Sequence, residues 1–378
     1  MAPDAGSIKY RIPAHVEYFK QSVAHNVLVV DGQSQERTPP PDLRGFVAGQ
    51  TLQMVRAATG KAYPGVNLER TLLLTDDYLV DIFQARSDTA HTYDWVYHNW
   101  GQFASADLTF EPAAQPPAEI NGYEYLQNVQ ATEPWSGGLW QAEWTLDPNR
   151  HVRGIFAGQP GDRTFLAEGL IAADKGDEIA DDTVPVLIVR RQGTGTRFVS
   201  ILEPYRSGPA INSVAPLMLT DAAGQPVELE NGEALELQRD GGRDLLVLDD
   251  AGQVKQVGNL QTDARQLWAS FDQGRLRALY VGMGAQASGP GWVMRLEGLS
   301  TAADIDDVNV LLEFPDGERL RVHNSGVRSV GLELEGLTSA GARIWQLNRA
   351  GQRAQEIRPT RVEDGFLRFV LAPQTGYE

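Results

Sequence analysis

The sequence predicts an all-β protein: a large two-sheet antiparallel β-sandwich over residues 1–300, followed by a small C-terminal β-domain over residues 301–378. Two observations carry that expectation. The apolar residues come in short alternating or β-branched runs, and none sustains a 3.6-residue period. Turn signals separate the runs. The 378 residues include 38 Gly and 21 Pro, and Asn-Gly, Asp-Gly and Gly-Gly dipeptides fall between candidate strands. A hydrophobic share of 42% is enough for a sizeable core.

The first candidate strand, 27–30 (Val-Leu-Val-Val), is a continuous apolar run, the pattern of a strand buried on both faces. His25 and Asn26 precede it, and Asp31-Gly32 ends it with a turn. Residues 37–43 contain Pro39-Pro40-Pro41 and read as a stiff loop, because proline cannot donate to a ladder. Strands are expected over 51–58, 68–74 and 78–84. Asp81 interrupts the last of these, so it either faces outward or has a partner. Residues 91–103 are rich in aromatics, and His91, Tyr93, Trp95 and Tyr97 share one strand face. That stripe reads as sandwich core, with a sugar-stacking platform as the alternative.

After a proline-rich connection at 112–119, Trp140, Ala142 and Trp144 alternate with Gln141 and Glu143, a half-buried strand. Further strands are expected over 151–158, 164–170, 184–190 and 197–202. The acidic stretch 174–182 reads as a solvated loop, since it lacks the ordered spacing of a calcium loop. Hairpins then follow through 227–237, 244–248, 266–271, 276–282 and 292–296. The small polar stretch at 301–304 marks the expected linker. Beyond it, 310–314 and 320–322 flank Asp316-Gly317 as one more hairpin.

The net charge is −17 and the pI near 4.8, which gives no electrostatic reason to bind nucleic acid or anionic membranes. The same charge repels an acidic polymer at long range unless basic groups gather locally, within a Debye length of about 8 Å. There is no cysteine, so thiol and disulfide chemistry are excluded. No long apolar span and no signal peptide are visible. There is also no Gly-x-Ser-x-Gly elbow, phosphate loop or His-Glu-x-x-His motif.

Six short motifs occur in order: Asp4-Ala-Gly6, Tyr10-Arg-Ile-Pro13-Ala-His15, Ala24-His25-Asn26, Asn67-Leu-Glu-Arg70, Tyr78-Leu-Val-Asp81 and His98-Asn-Trp-Gly101. Together they resemble the heparinase II/III-like polysaccharide lyases, clearly over the first third of the chain and more loosely over the middle third. The resemblance implies the C-terminal sandwich of an enzyme whose N-terminal helical toroid is absent from these residues, so that the isolated chain is expected to be inactive. It implies cleavage of a uronate-containing, alginate- or heparin-like polysaccharide by β-elimination. A periplasmic or secreted location follows for the full-length protein, with a cytoplasmic one as the alternative. The implied site has Tyr10 and His25 as catalytic residues and Arg11 and Asn26 against the substrate. Asp4 and His25 are implied as two ligands of a zinc ion whose third ligand, a histidine, lies upstream of this chain. Read from the residues alone, Asp4 is a turn residue, Arg11 a surface arginine and His98 a hydrogen-bonded core histidine. The rival reading is a non-catalytic carbohydrate-binding or structural β-module, which has the same fold.

Overall fold

The structure, a computed structural model, describes residues 2–172, 182–229, 231–315, 319–337, 343–347, 353–358, 361–363 and 366–377. It is all-β, with 4% of residues helical, and its strand pairings are antiparallel. The acidic stretch 174–182 lies outside the described residues except for Asp182, as does the Asp316-Gly317 turn. The chain divides into two compact units. The first comprises residues 1–42, 57–72 and 77–209, and the second residues 43–56, 73–76 and 210–378.

Twelve strands precede residue 210: β1 (Leu28–Val30), β2 (Asp42–Ala48), β3 (Gln53–Tyr63), β4 (Val66–Leu74), β5 (Leu79–His98), β6 (Gln102–Ala106), β7 (Glu111–Pro112), β8 (Gln127–Ala131), β9 (Gly138–Asp147), β10 (Arg150–Gly158), β11 (Arg163–Leu170) and β12 (Thr183–Tyr205). They form one sheet whose main path runs β2-β3-β4-β5-β12-β10-β9-β6, with β1, β11, β8 and β7 joined beside it. Its backbone is the long pair β5–β12, in register from Leu79↔Leu202 to His98↔Val186 and bulged at Gly193/Gly195. Each of these strands was expected as two. The middle of β5 is exposed and polar, which hides its continuity from a hydrophobic pattern.

The aromatic stripe is core. Tyr93, Trp95 and Tyr97 are buried, and Trp95 stacks on Tyr97 with ring centroids 5.6 Å apart. Tyr97 also meets Trp144 edge-on at 5.4 Å. β5 and β9 are three strands apart in the sheet, about 14 Å if it were flat. The contact therefore requires the sheet to roll onto itself and enclose these rings. The opposite face of β5 and β12, through Val96, Val186 and Ile188, packs against Val29 and the N-terminal segment. Strand β1 is thus covered on both sides, as its apolar run predicts. Asp31 (φ 52°) and Gly32 (φ 65°) turn the chain after it.

The second unit holds β13 (Ile211–Pro216), β14 (Leu219–Asp221), β15 (Gly232–Arg239), β16 (Gly242–Asp249), β17 (Lys255–Val257), β18 (Leu260–Thr262), β19 (Gln266–Asp272), β20 (Arg275–Gly282), β21 (Gln286–Gly289), β22 (Trp292–Glu297), β23 (Asn309–Glu313), β24 (Arg321–Asn324), β25 (Val330–Glu335), β26 (Ile344–Leu347), β27 (Arg353–Ile357), β28 (Arg361–Glu363), β29 (Phe366–Leu371) and β30 (Thr375–Tyr377). One sheet runs β13-β15-β16-β19-β20-β23-β24-β30-β26-β27 and the other β14-β17-β18-β21-β22-β25-β29-β28. Their facing sides share one core that includes Val247, Leu279, Met294 and Leu332. The boundary expected near Ser300 falls inside this unit, and the segment after it adds strands to both sheets. Thr301, expected as linker, caps a short helix (Ala302–Asp306) through a capping box with Asp304.

Candidate functional site

The N-terminal segment of the first unit is built around a loop. It starts at an Asp turn, where Asp4 Oδ1 accepts the Gly6 N–H at 2.8 Å. Gly6 has φ 78° and passes within van der Waals reach of Ala172, while Ala172 N–H donates to Ala5 O. The chain then runs through Tyr10 and Arg11 into a short helix, Ala14–Glu17, and reaches Phe19. His25 bridges the two ends of this loop. Its Nδ1 lies 2.9 Å from Asp4 Oδ2 and its Nε2 3.1 Å from the Phe19 carbonyl. Both partners are acceptors, and each ring nitrogen donates to its partner when it carries a hydrogen. Burial raises the Asp4 carboxyl, but the Gly6 N–H and His25 outweigh it and leave it below the usual carboxylate range.

Asn26 ties the same segment to the sheet. Its Nδ2 donates to Pro3 O at 2.7 Å, and its Oδ1 accepts the His98 backbone N–H at 2.6 Å. The Asn26 carbonyl accepts from Arg70 Nη1 at 2.7 Å. Arg70 in turn forks onto Asp81, Nε to Oδ1 at 2.8 Å and Nη2 to Oδ2 at 2.7 Å. Asp81 also accepts from Trp95 Nε1 at 3.3 Å. The partner that Asp81 required is therefore Arg70. One continuous network links residues from the motifs at 4–6, 24–26, 67–70, 78–81 and 98–101.

His98 is buried at the edge of this network. Neither ring nitrogen has a hydrogen-bond partner among the described residues. Burial first, and the nearby His25 charge second, push its pKa down to about 3, with Asp4 opposing. The residue was expected as a hydrogen-bonded core histidine. It is core, and it bonds through its backbone. Beside it, Gly169 leaves room for Tyr18 and Val186: a Cβ there would sit 2.4 Å from Tyr18 Oη and 2.6 Å from Val186 Cγ2.

Tyr10 is 85% exposed. Its ring stands edge-on to His15 at 4.6 Å, with Lys20 Nζ 5.8 Å from its centroid. Arg11 is exposed on the same loop. The structure therefore brings Asp4, His25 and Asn26 together and carries Tyr10 and Arg11 out on the loop that they close. A zinc ion asks for three or four donors. Asp4 and His25 supply two, each already bonded, and no group of three His, Cys, Asp or Glu able to hold a metal occurs among the described residues. These residues on their own do not fit zinc. The roles of Arg70 and His98 were missed because a motif shows that residues recur in order, not which of them touch.

No protein-family model matches the chain. Its sequence is related to polysaccharide lyases. It is 27% identical over 205 residues to an exo-oligoalginate lyase of Saccharophagus degradans, covering 49% of this chain and 27% of that protein. It is 30% identical over 203 residues to an alginate lyase of Stenotrophomonas maltophilia, with the same coverages. It is 25% identical over 268 residues to an endo-acting ulvan lyase of Formosa agariphila, covering 58% of this chain and 32% of that protein. The matched region thus spans about a third or less of each relative's length. Among solved structures, a heparan sulfate lyase of Pedobacter heparinus superposes with a TM-score of 0.46 at 15% identity, covering 66% of this chain and 34% of that one.

Proposed function

We propose that the chain is the β-sandwich part of a lyase that cleaves a uronate-containing polysaccharide by β-elimination. The observation that carries this reading is the sequence similarity to alginate and ulvan lyases over 49% and 58% of the chain. In such a reaction a base removes the C5 proton of the uronate. The electron pair forms the C4–C5 double bond, the C4–O4 bond breaks, and an acid protonates the departing oxygen. Neutralising the carboxylate makes the C5 proton acidic enough to leave.

On this reading Tyr10 transfers a proton at the substrate and Arg11 meets the uronate carboxylate, a pairing that guanidinium geometry favours. Both are exposed, which supports their reaching a polymer. His25 positions them: its ring joins Asp4 to Phe19 and fixes the loop between. Asn26 anchors that loop to the sheet. The rest of the catalytic surface belongs to a helical toroid domain, in keeping with the small share of each relative that the match covers. A periplasmic or secreted location follows from the size of a polymeric substrate. No helix among the described residues is long and apolar enough to cross a membrane.

The test is to incubate the chain, alone and joined to any coding sequence upstream of Met1, with alginate, ulvan, heparan sulfate and hyaluronan. Ultraviolet absorbance of the conjugated unsaturated uronate reports cleavage. The expected result is cleavage of at least one polymer by the joined protein and little by the chain alone. No unsaturated product from either form overturns the proposal. Full turnover by the chain alone would move the whole site into these residues.

A further inference from the structure

In the second unit, three arginines line one cleft, and one of them, Arg243, stands where the sandwich pattern calls for an apolar side chain. Inward-facing positions of β16 and β20 carry Leu245, Val247, Leu279 and Val281, all in the shared core. Side chains repeat every two residues along a strand. By that period Arg243 continues the inner face of β16, opposite Phe271; on β20 a bulge at Arg277 breaks the period and puts Leu276 opposite Phe271, with Arg277 and Arg275 on either side of it. These strands lie in the middle of their sheet, so the charges do not serve to protect an edge.

The two sheets part at this end around a cleft of about 840 Å³. Phe271 and Trp292 form apolar wall, and the three arginines line the same space. Trp292 lies flat on the chain at Gly289, where a Cβ would come within 2.7 Å of the indole. The charges are only partly spent. Arg243 Nη1 meets Glu236 Oε2 at 2.5 Å. Arg277 Nε lies 3.5 Å from Asp272 Oδ2, a carboxylate that Arg239 also approaches at 3.4 Å. Arg275 makes no ion pair among the described residues. The acids lining the cleft are Glu236 and Asp272, so three arginines face two carboxylates in a chain of net charge −17.

We propose that this cleft is a second, non-catalytic binding site for an acidic oligosaccharide carrying uronate carboxylates. Arginine forks suit carboxylates, and Arg275 and Arg277 both line the cleft from β20. The aromatic walls offer flat apolar area to sugar ring faces. The choice of uronate rests on the proposed function, while the site itself lies wholly within the second unit. Its role is to hold the polymer while another part of the protein acts on it.

The experiment is isothermal titration of the full chain with a mannuronate tetramer, and with a neutral glucose tetramer of the same length. Wild type should bind the acidic tetramer, more weakly as salt rises, and should not bind the neutral one. Arg275→Ala/Arg277→Ala should weaken binding about tenfold or more with the melting temperature unchanged. Arg275→Glu should weaken it too, and Arg150→Ala, at an exposed arginine of the first unit, should leave it intact. Equal binding by the double variant, equal binding of the neutral sugar, or no binding by wild type would overturn the proposal. Loss of binding in Arg11→Ala alone would assign the sugar to the first unit, rejecting this site but not the proposed function. Binding that depends on Arg275 and Arg277, in a protein that cleaves no polymer, would reject the proposed function and keep this site.

Discussion

A histidine whose two ring nitrogens face a carboxylate and a carbonyl is already engaged at both nitrogens, and it holds both ends of the loop between them. That is the position of His25 between Asp4 and Phe19. A zinc ion would have to displace one of these bonds, so the isolated chain should bind zinc weakly in titration. His98 gives a sharper test. Folded, it stays neutral to about pH 3, whereas unfolded it takes up a proton below its ordinary value of 6.5. Across that window the unfolded state binds more protons, so stability falls as pH falls, on the order of 1.4 kcal/mol per pH unit. Asp4, held below its ordinary value, adds a loss of the same sign at lower pH. Its side chain is 72% exposed, and solvent screening makes that share small. Urea midpoints at pH 7 and pH 5 should therefore differ less in His98→Leu than in wild type. An unchanged difference would mean that His98 is protonated in the fold. The Arg70–Asp81 fork makes a second prediction at this scale. Asp81 is 1% exposed, and Arg70→Met leaves its charge buried without the fork, a loss of about 3–5 kcal/mol in chemical denaturation. A loss below about 1 kcal/mol would show the pair to be merely a surface bridge.

Among the elements, β5 shows what a sequence pattern can and cannot carry. Its two buried ends were legible because apolar residues alternate or run together there. Its middle, from Arg86 to Thr92, is polar and largely exposed, yet Arg86, His91 and Thr92 still pair with β12 on either side of the bulge. Ladder bonds are made by the backbone, and side-chain hydrophobicity does not report them where the sheet faces water. The same limit applies to Thr301, whose cap depends on a hydrogen bond to a residue three positions on. The aromatic stripe was legible as core. Trp95 packs between Tyr97 and Phe156, so Trp95→Ala should cost about 3–5 kcal/mol. Unfolding at the wild-type denaturant midpoint would contradict an enclosed ring.

For the molecule as a whole, fold class was readable because turn signals and short runs recur along the entire chain. Its division was not. Strand pairing at long range decides which sheet a segment joins. The residues after 300 carry no local mark that sends β23 to β20 or β25 to β22. The candidate site was legible as a set of motifs and illegible as a geometry. Sequence order put Asp4, His25 and Asn26 forward together. That His25 clasps the loop carrying Tyr10 and Arg11 emerged only from the hydrogen bonds. The central claim is that this clasp positions the loop for uronate β-elimination. Its most direct test is the rate of unsaturated-uronate formation by the joined protein carrying His25→Ala. The account predicts a loss of about a hundredfold, as for misplacement of a catalytic group, with the fold retained by circular dichroism. Wild-type turnover in His25→Ala would contradict it and leave His25 a structural histidine at a strand end.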